Sequence, residues 1–272
     1  MSNITGTLIK MPARPEAPVA YELALGEHRI GLNDRLGQPL RLTFTGQIHC
    51  DACGRKTSKS YAQGHCFPCM KKLARCDMCV MKPETCHYFE GTCREPEWGD
   101  SHCMVDHIVY LANTSGLKVG ITRGTQVPTR WIDQGATQAL PIMRVATRQL
   151  SGFVEVALAE MVADKTNWRA MLKGDEAEVD LKAEAARLLP EIQAKLADLT
   201  LKYGAEAITV LDEPVVSLSY PVLEYPKKIV SHNFDKNPEV AGTLLGIKGQ
   251  YLILDTGVIN LRKFTGYQIS LD

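Results

Sequence analysis

The sequence contains no cysteine outside residues 50–103, no long apolar run and no net charge. Its apolar stretches fall short of the roughly 18 residues that a membrane-spanning helix needs, so no such helix is expected. The first residues, MSNITGTLIK, lack the basic stretch and apolar core of a secretory signal. Balanced charge, with 31 acidic and 31 basic residues, argues against binding to nucleic acid or membrane by bulk charge, although a local basic face stays open.

The 9 cysteines are therefore concentrated in one part of a 272-residue chain. An odd number of cysteines packed this closely is a poor disulfide framework, and it suits a reducing compartment in which thiolates bind metal. The chain is also long enough to bury hydrophobic cores of its own, so metal need not be its only stabiliser. These features predict a metal-binding protein of the cytoplasm.

Two CxxC motifs form the first half of this cysteine block. Cys50 and Cys53 are separated from Cys66 and Cys69 by residues 54–65. Each motif can present two thiolates to one ion from a tight turn, and two such turns complete a tetrahedron. The pattern predicts a structural Zn²⁺ with a closed shell of four thiolates.

The second half of the block offers more ligands than one tetrahedral ion needs. The preferred set for a second ion is Cys76, Cys79, Cys86 and Cys93. The alternative fourth ligands are Cys103, His87 and His102. Zinc is favoured here because the neighbouring pair of CxxC motifs is typical of zinc sites. An iron–sulfur cluster is the alternative, because cysteines alone can hold it.

Basic residues are concentrated between Cys50 and Arg75. This range contains one acidic residue, Asp51, and six basic residues, which are Arg55, Lys56, Lys59, Lys71, Lys72 and Arg75. These charges either offset a zinc–thiolate centre and face water, or form a surface that contacts phosphates. The sequence does not decide between the two interpretations.

Patterning along the chain predicts an α+β protein in five segments. They are an N-terminal β segment (1–49), the cysteine-rich block (50–105), a small α/β module (106–175), an amphipathic helix (176–205) and a C-terminal β segment (206–272). The two β segments share Gly-Thr-Leu, at 6–8 and 242–244, and a similar phrase at 40–48 and 261–269. This weak repeat predicts that both ends contribute to one β unit. Pro190 is expected to kink or divide the amphipathic helix.

The sequence pattern of the module after the cysteine block predicts a hairpin followed by two helices. Turn residues 113–116 separate two apolar strands. Pro128 can begin a short helix that carries Arg130, and Ser151 can cap a second helix, Gly152–Ala163, that carries Glu155.

Several phrases in this module resemble known families. Val109-Tyr-Leu, Lys118-Val-Gly-Ile-Thr-Arg123, the helical Arg130 and the later Glu155 resemble the GIY-YIG nuclease superfamily, in particular the branch whose second motif reads K-[IV]-G-x-T. The whole chain, with its PETCH, GTCR and KVGITR phrases, also resembles a bacterial family described only as a domain of unknown function.

The nuclease resemblance implies a role for each matching residue. Tyr110 would help to activate the attacking water, and Gly120 would keep the second strand close to the site. Arg130 would hold the scissile phosphate, and Glu155 would bind Mg²⁺. A single carboxylate and a hard cation suit phosphodiester hydrolysis of DNA or RNA, which depends on charge stabilisation.

Departures from the motif and the balanced charge favour a second hypothesis. Lys118 stands where the second motif usually has tyrosine, and Gln134 stands where a histidine is common. The alternative is a non-catalytic, zinc-stabilised adaptor that binds nucleic acid or a protein partner. An iron–sulfur redox or sensing protein is a third and more distant hypothesis.

Overall fold

In a computed structural model that describes residues 3–162 and 167–272, the chain folds as a mixed α+β protein with antiparallel sheets. The strands of this part of the chain are β1 (Ile4–Thr7), β2 (Ala13–Arg14), β3 (Ala20–Leu25), β4 (His28–Gly31), β5 (Pro39–His49), β6 (Lys56–Thr57), β7 (His107–Asn113), β8 (Leu117–Arg123), β9 (Gln138–Val145), β10 (Ile208–Val210), β11 (Val216–Ser217), β12 (Glu239–Lys248), β13 (Tyr251–Leu254), β14 (Gly257–Asn260) and β15 (Tyr267–Leu271). Its helices are α1 (Phe67–Lys72), α2 (Pro96–His102), α3 (Thr129–Asp133), α4 (Arg148–Ala159), α5 (Trp168–Met171), α6 (Leu181–Glu191) and α7 (Gln193–Tyr203).

The largest sheet joins the two ends of the chain. Its order is β1-β15-β5-β12-β13-β14, and β6 adds to the end of β5. Ile4 pairs with Leu271, while Leu40 pairs with Gly242. Strands β1 and β5 contain the N-terminal copy of the repeat, and β12 and β15 contain the C-terminal copy. In the order β1-β15-β5-β12, strands of the two copies therefore alternate. Both ends therefore contribute to one β unit.

Alternating burial explains why β5 forms a central strand of this sheet. Leu40 and Leu42 are buried, whereas Arg41 between them is exposed. The apolar face packs against buried side chains of β12, β14 and β15, including Val240, Leu244, Ile259 and Ile269. Each fully buried aliphatic side chain of this kind contributes about 1.5–3 kcal/mol to stability.

A second sheet carries two of the candidate catalytic residues, Tyr110 and Gly120. Its order is β10-β9-β7-β8, with β11 also pairing to β9. The predicted hairpin joins β7 to β8, and its turn is closed by Gly116 N–H donating to Asn113 Oδ1 at 3.1 Å. Helices α4, α6 and α7 cover the sheet with buried side chains that include Val154, Leu158, Leu188 and Leu196. Within the described ranges, no helix has the length and apolar character to cross a bilayer.

Two helices differ from the sequence-based prediction. The amphipathic helix expected over 176–205, which Pro190 was expected to kink or divide, is formed by α6 and α7. Its start is later than predicted, at Leu181, because Asp180 Oδ1 accepts from Ala183 N–H at 3.0 Å. The chain breaks between them at Ile192, close to Pro190, which has no N–H to continue the helical ladder. The predicted helix start at Gly152 was also wrong, because α4 begins four residues earlier, at Arg148.

The earlier start of α4 has a local cause. Thr147 Oγ1 accepts from Leu150 N–H at 3.2 Å and caps the helix. Ser151, the predicted cap, lies inside the helix and donates to the carbonyl of Arg148 at 2.7 Å. Ala163, the last residue of the predicted helix, lies outside the described residues.

Candidate functional site

The first four cysteines come together at the end of β5. Cys50 directly follows that strand, and β6 pairs back onto it to close the loop that carries Cys53. Cys66 precedes α1, and Cys69 lies within its first turn. The Sγ atoms of all four lie within 4.8 Å of one another, as the paired CxxC motifs predict.

The spacing of these sulfurs fits a tetrahedral ion. Cys53 Sγ and Cys66 Sγ are 3.8 Å apart. Four thiolates around zinc, each bonded at about 2.3 Å, are separated by about 3.8 Å along each edge of the tetrahedron. The geometry is therefore compatible with a structural metal such as Zn²⁺.

The electrostatics of this group are compatible with a bound cation. Burial opposes ionisation of Cys50, but backbone amides of Cys66, Cys53 and Ala52 outweigh it and lower the pKa of that thiol to about 6. Hydrogen bonding to Cys66 and Cys53 raises the pKa of Cys69 to about 12. Four sulfurs this close cannot all be thiolates unless a positive ion lies among them.

The first cysteine group is docked on the large sheet through the loop before β15. Ser60 Oγ donates to the Thr265 carbonyl at 3.1 Å, and Gly64 N–H donates to Ser60 Oγ at 2.8 Å. Gly64 has φ +114°, and a Cβ there would lie 2.9 Å from Thr265 Cγ2. The loop between the CxxC motifs thus lies between the cysteine group on one side and the sheet on the other.

A second set of cysteines surrounds one small cavity. Its lining includes Cys79, Cys86, Cys93 and Cys103, together with Asp77 and His87. The cavity has a volume of about 10 Å³. That is close to the space of one water-sized sphere and so has room for a single ion.

Cys76 does not line this cavity. Burial raises the pKa of its thiol, Arg75 and Arg94 lower it, and Cys50 of the first group raises it further. Of the preferred set of Cys76, Cys79, Cys86 and Cys93, the last three therefore line the cavity, and so does Cys103, which the sequence analysis kept as an alternative. Among the described residues, the sulfurs of Cys86, Cys93 and Cys103 do not belong to a group of ligand atoms within 4.8 Å of one another, unlike those of the first four cysteines.

The histidines and Asp77 have other partners near this cavity. Ligand atoms of Asp77, Cys79 and His87 lie within 4.8 Å of one another. Asp77 is already paired with Arg94 at 2.6 Å, and His87 Nδ1 lies 2.7 Å from Thr92 Oγ1. His102 stacks on Trp98 with ring centroids 4.3 Å apart. Four thiols are the better-matched set for zinc.

The second cysteine group is tied to the first turn of α4. Arg148 donates from its backbone N–H to the Cys103 carbonyl at 2.8 Å and from Nη2 to the Val80 carbonyl at 2.7 Å. Gln149 Nε2 donates to the Cys86 carbonyl at 2.7 Å. Any ion bound by these cysteines therefore supports the helix that carries Glu155.

Tyr110 and Gly120 face each other across the β7–β8 hairpin. They are directly paired, and a Cβ added to Gly120 would lie 2.6 Å from the Tyr110 hydroxyl. Tyr110 is fully buried, and its hydroxyl donates to Gln134 Oε1 at 2.8 Å. Gly120 is needed here because the phenol ring occupies the space that any side chain would fill.

Arg130 and Glu155 both act on the Tyr110 hydroxyl. Burial raises the pKa of Tyr110 to about 12; Arg130 opposes this by charge and by a hydrogen bond, and Glu155 adds to it by charge. Both charged side chains are half-buried. Of the four residues that the nuclease resemblance names, Tyr110 and Gly120 are in contact, Arg130 hydrogen-bonds to the Tyr110 hydroxyl, and Glu155 acts on that hydroxyl through its charge.

Arg148 is a member of this group that the sequence analysis did not identify. Burial lowers the pKa of its guanidinium and the charge of Arg130 adds to this effect, whereas Cys103, Cys79 and Glu155 oppose it. Its Nε is buried without a hydrogen-bond partner among the described residues. Arg148 links the second cysteine group to Glu155, and only its place just before the predicted helix could have indicated this.

Comparisons with known proteins place the chain in a family. Neither the curated proteins nor the solved structures contain a match to this chain. A family model described as "Protein of unknown function (DUF2797)" matches residues 37–269. Because that match spans most of the sequence, the chain belongs to the DUF2797 family.

Proposed function

We propose that this protein is a divalent-metal-dependent phosphodiester hydrolase of the GIY-YIG type, acting on DNA or RNA and stabilised by zinc. The observation that supports it is that Arg130 from α3 hydrogen-bonds to the Tyr110 hydroxyl, while Glu155 from α4 acts on the same hydroxyl through its charge. Both charged side chains are half-buried, so neither is enclosed in the hydrocarbon core. A cation that binds phosphate and a carboxylate that binds metal are the parts this reaction needs.

Each charged residue has a distinct role in this proposal. Arg130 binds the non-bridging oxygens of the scissile phosphate and stabilises the charge that develops on them. Glu155 holds Mg²⁺, which supplies positive charge to the leaving oxygen. One carboxylate fits this ion, since Mg²⁺ in such sites uses one or two carboxylates and completes its shell with water and substrate phosphate.

Tyr110 is a positioning residue in this proposal. The resemblance gave it a part in activating water, which requires an acidified hydroxyl, but burial raises its pKa to about 12. It stays protonated at neutral pH and donates to Gln134. Its contribution is to orient Gln134 and Arg130 through the hydrogen bonds of its hydroxyl group.

Cleavage assays test the proposal. Arg130→Ala and Glu155→Gln are each expected to lower the rate of cleavage of single-stranded, duplex and RNA substrates with Mg²⁺ or Mn²⁺ by about 100-fold, because each removes charge stabilisation of the transition state. Arg144→Ala and Glu160→Gln, at exposed positions, are matched controls that keep wild-type rates. Wild-type cleavage that survives both site changes would refute the mechanism.

The non-catalytic adaptor remains the second candidate. The high pKa of Tyr110 favours it over the mechanism that the resemblance implies, in which this hydroxyl helps to activate water, because a hydroxyl that resists ionisation is a poor base. The same assays separate the two functions, since an adaptor binds nucleic acid or a protein and releases no cleaved product under any metal condition.

We further propose that each cysteine group binds one zinc ion, the second through Cys79, Cys86, Cys93 and Cys103. Cys103→Ser is expected to lower the zinc content by one ion per chain, whereas Cys76→Ser leaves it unchanged because Cys76 does not line the cavity. Metal analysis of protein prepared without oxygen measures this. Iron and sulfide in place of zinc, with visible absorbance, would contradict zinc at the second group.

A further inference from the structure

An open cavity lies where the first cysteine group meets the large sheet. Its volume is about 660 Å³, within the range of about 300–1,000 Å³ usual for ligand sites. One wall is the loop between the two CxxC motifs, and the other is the chain around β14 and the start of β15. The lining residues are Ser58, Lys59, Ser60, Gln63, Asp235, Asn260, Arg262, Lys263 and Tyr267.

The walls of this cavity are positively charged. Lys59 and Lys263 are exposed, and Arg262 adds a half-buried guanidinium. The carboxylate in the lining, Asp235, accepts a hydrogen bond from the Tyr267 hydroxyl at 2.8 Å. Three cations against one engaged carboxylate favour an anionic ligand.

Arg262 connects the cavity to the candidate catalytic site. Its Nε donates to Gln63 Oε1 at 2.8 Å, and its Nη1 lies 3.5 Å from the Asp133 carboxylate. Burial lowers the pKa of this guanidinium, with Asp133 opposing and Arg130 adding to the effect through charge. Arg130 and Asp133 lie one turn apart on α3. The positively charged side chains therefore extend from the cavity, through Arg262, to Arg130.

We propose that this cavity binds a nucleotide of the substrate strand next to the scissile phosphate, with its phosphate held by Lys59, Arg262 and Lys263. The inference rests on the proposed function, since it assigns the neighbouring phosphate to Arg130. Ser58 and Asn260 supply hydroxyl and amide groups for the sugar or base. In this proposal Lys59, one of the basic residues of the cysteine block, contacts a substrate phosphate. This favours a phosphate-contacting surface over charges that only face water.

The first metal site controls the shape of this cavity. Residues 58–63 lie between Cys53 and Cys66, so the loop wall is fixed at both ends by metal ligands. Arg262 is unsuitable for a test because it also pairs with Asp133. Lys59 and Lys263, which are exposed, can be changed with little effect on folding.

Binding of a labelled single-stranded oligonucleotide, measured by fluorescence anisotropy in Glu155→Gln protein, tests the inference without cleavage. Lys59→Glu with Lys263→Glu is expected to weaken binding at least about tenfold and to reduce the salt slope by about 2, one for each lost phosphate contact. Lys195→Glu with Lys202→Glu, a matched charge change on exposed α7 residues, is expected to retain wild-type binding apart from a small general charge effect.

Three results would overturn the inference: no binding by the parent protein, equal binding by both double variants, or competition by a free mononucleotide as strong as that by the strand. Its failure is distinguishable from failure of the proposed function. Cleavage with unaltered binding in the Lys59 and Lys263 variant removes the cavity assignment alone. Lysine-dependent binding without any cleavage by wild-type protein removes hydrolysis and keeps the cavity.

Discussion

Cys66→Ser is expected to release the ion from the first cysteine group and to unfold the loop between its CxxC motifs. Residues 51–63 contain no buried side chain, and the buried residues near them are Cys50, Gly64, His65 and Cys66. Without a local apolar core, metal coordination supplies the stability of this segment. Structural zinc in small cysteine sites binds with about 10–16 kcal/mol at neutral pH, far more than any contact in this loop contributes.

The loss is expected to stay local. The large sheet has its own core of buried aliphatic and aromatic side chains, which does not depend on the thiolates. Limited proteolysis should therefore cut the Cys66→Ser protein first within residues 51–65, while the remainder resists. Metal analysis should find one zinc ion fewer per chain, and Cys76→Ser is the matched control. Full zinc content with a wild-type digestion pattern would contradict a metal-supported loop.

The first cysteine group was predictable because its determinants are local. Each CxxC motif is a tight turn, and the two turns lie at either end of a short loop, so their spacing alone indicates one ion. The β7–β8 hairpin was predictable for the same reason, since Asn113 and Gly116 specify the turn between two apolar runs. In both cases the information lies within a few residues of the feature.

The composition of the second cysteine group was not predictable from spacing. Cys103 lines the second cavity and Cys76 does not, and α4 binds the surrounding loop at two points, through Arg148 to the Cys103 carbonyl and through Gln149 to the Cys86 carbonyl. Both partners lie far along the sequence from the cysteines. A third CxxC motif was the strongest local pattern, and long-range docking overrode it.

The position of Tyr110 was predictable, but its chemistry was not. A continuous apolar run placed it on a strand, whereas its burial depends on α3, which contributes Trp131 at a ring separation of 5.8 Å. Burial is the main reason that its pKa rises. Its role therefore follows from tertiary packing that no motif records.

Gly152→Ala is expected to destabilise the protein, although helix propensity predicts the opposite. Alanine in a helix interior is favoured over glycine by about 1 kcal/mol. Gly152, however, is buried inside α4 against the turn Pro83–Thr85 of the second cysteine group. A Cβ there would lie 2.7 Å from Pro83 Cβ and closer still to the backbone nitrogen of Glu84.

The contact cannot be relieved by a rotamer change, because backbone atoms oppose the new methyl group. The turn must move away from α4, and the hydrogen bond from Gln149 to the Cys86 carbonyl lengthens with it. Overpacking of this kind costs about 1–3 kcal/mol. After the gain of about 1 kcal/mol in helix propensity, we expect a net loss of about 1 kcal/mol for alanine and a larger loss for valine.

Denaturant unfolding and metal analysis measure the two consequences of this change. The free energy of unfolding should fall in the order wild type, Gly152→Ala, Gly152→Val, and zinc should be lost from the second group before the first. Gly31→Ala is the matched control, since no atom lies within 4 Å of the added Cβ and its backbone is not left-handed. If Gly152→Ala were as stable as wild type, the turn would not be packed against α4, and the second metal group would not support the helix that carries Glu155.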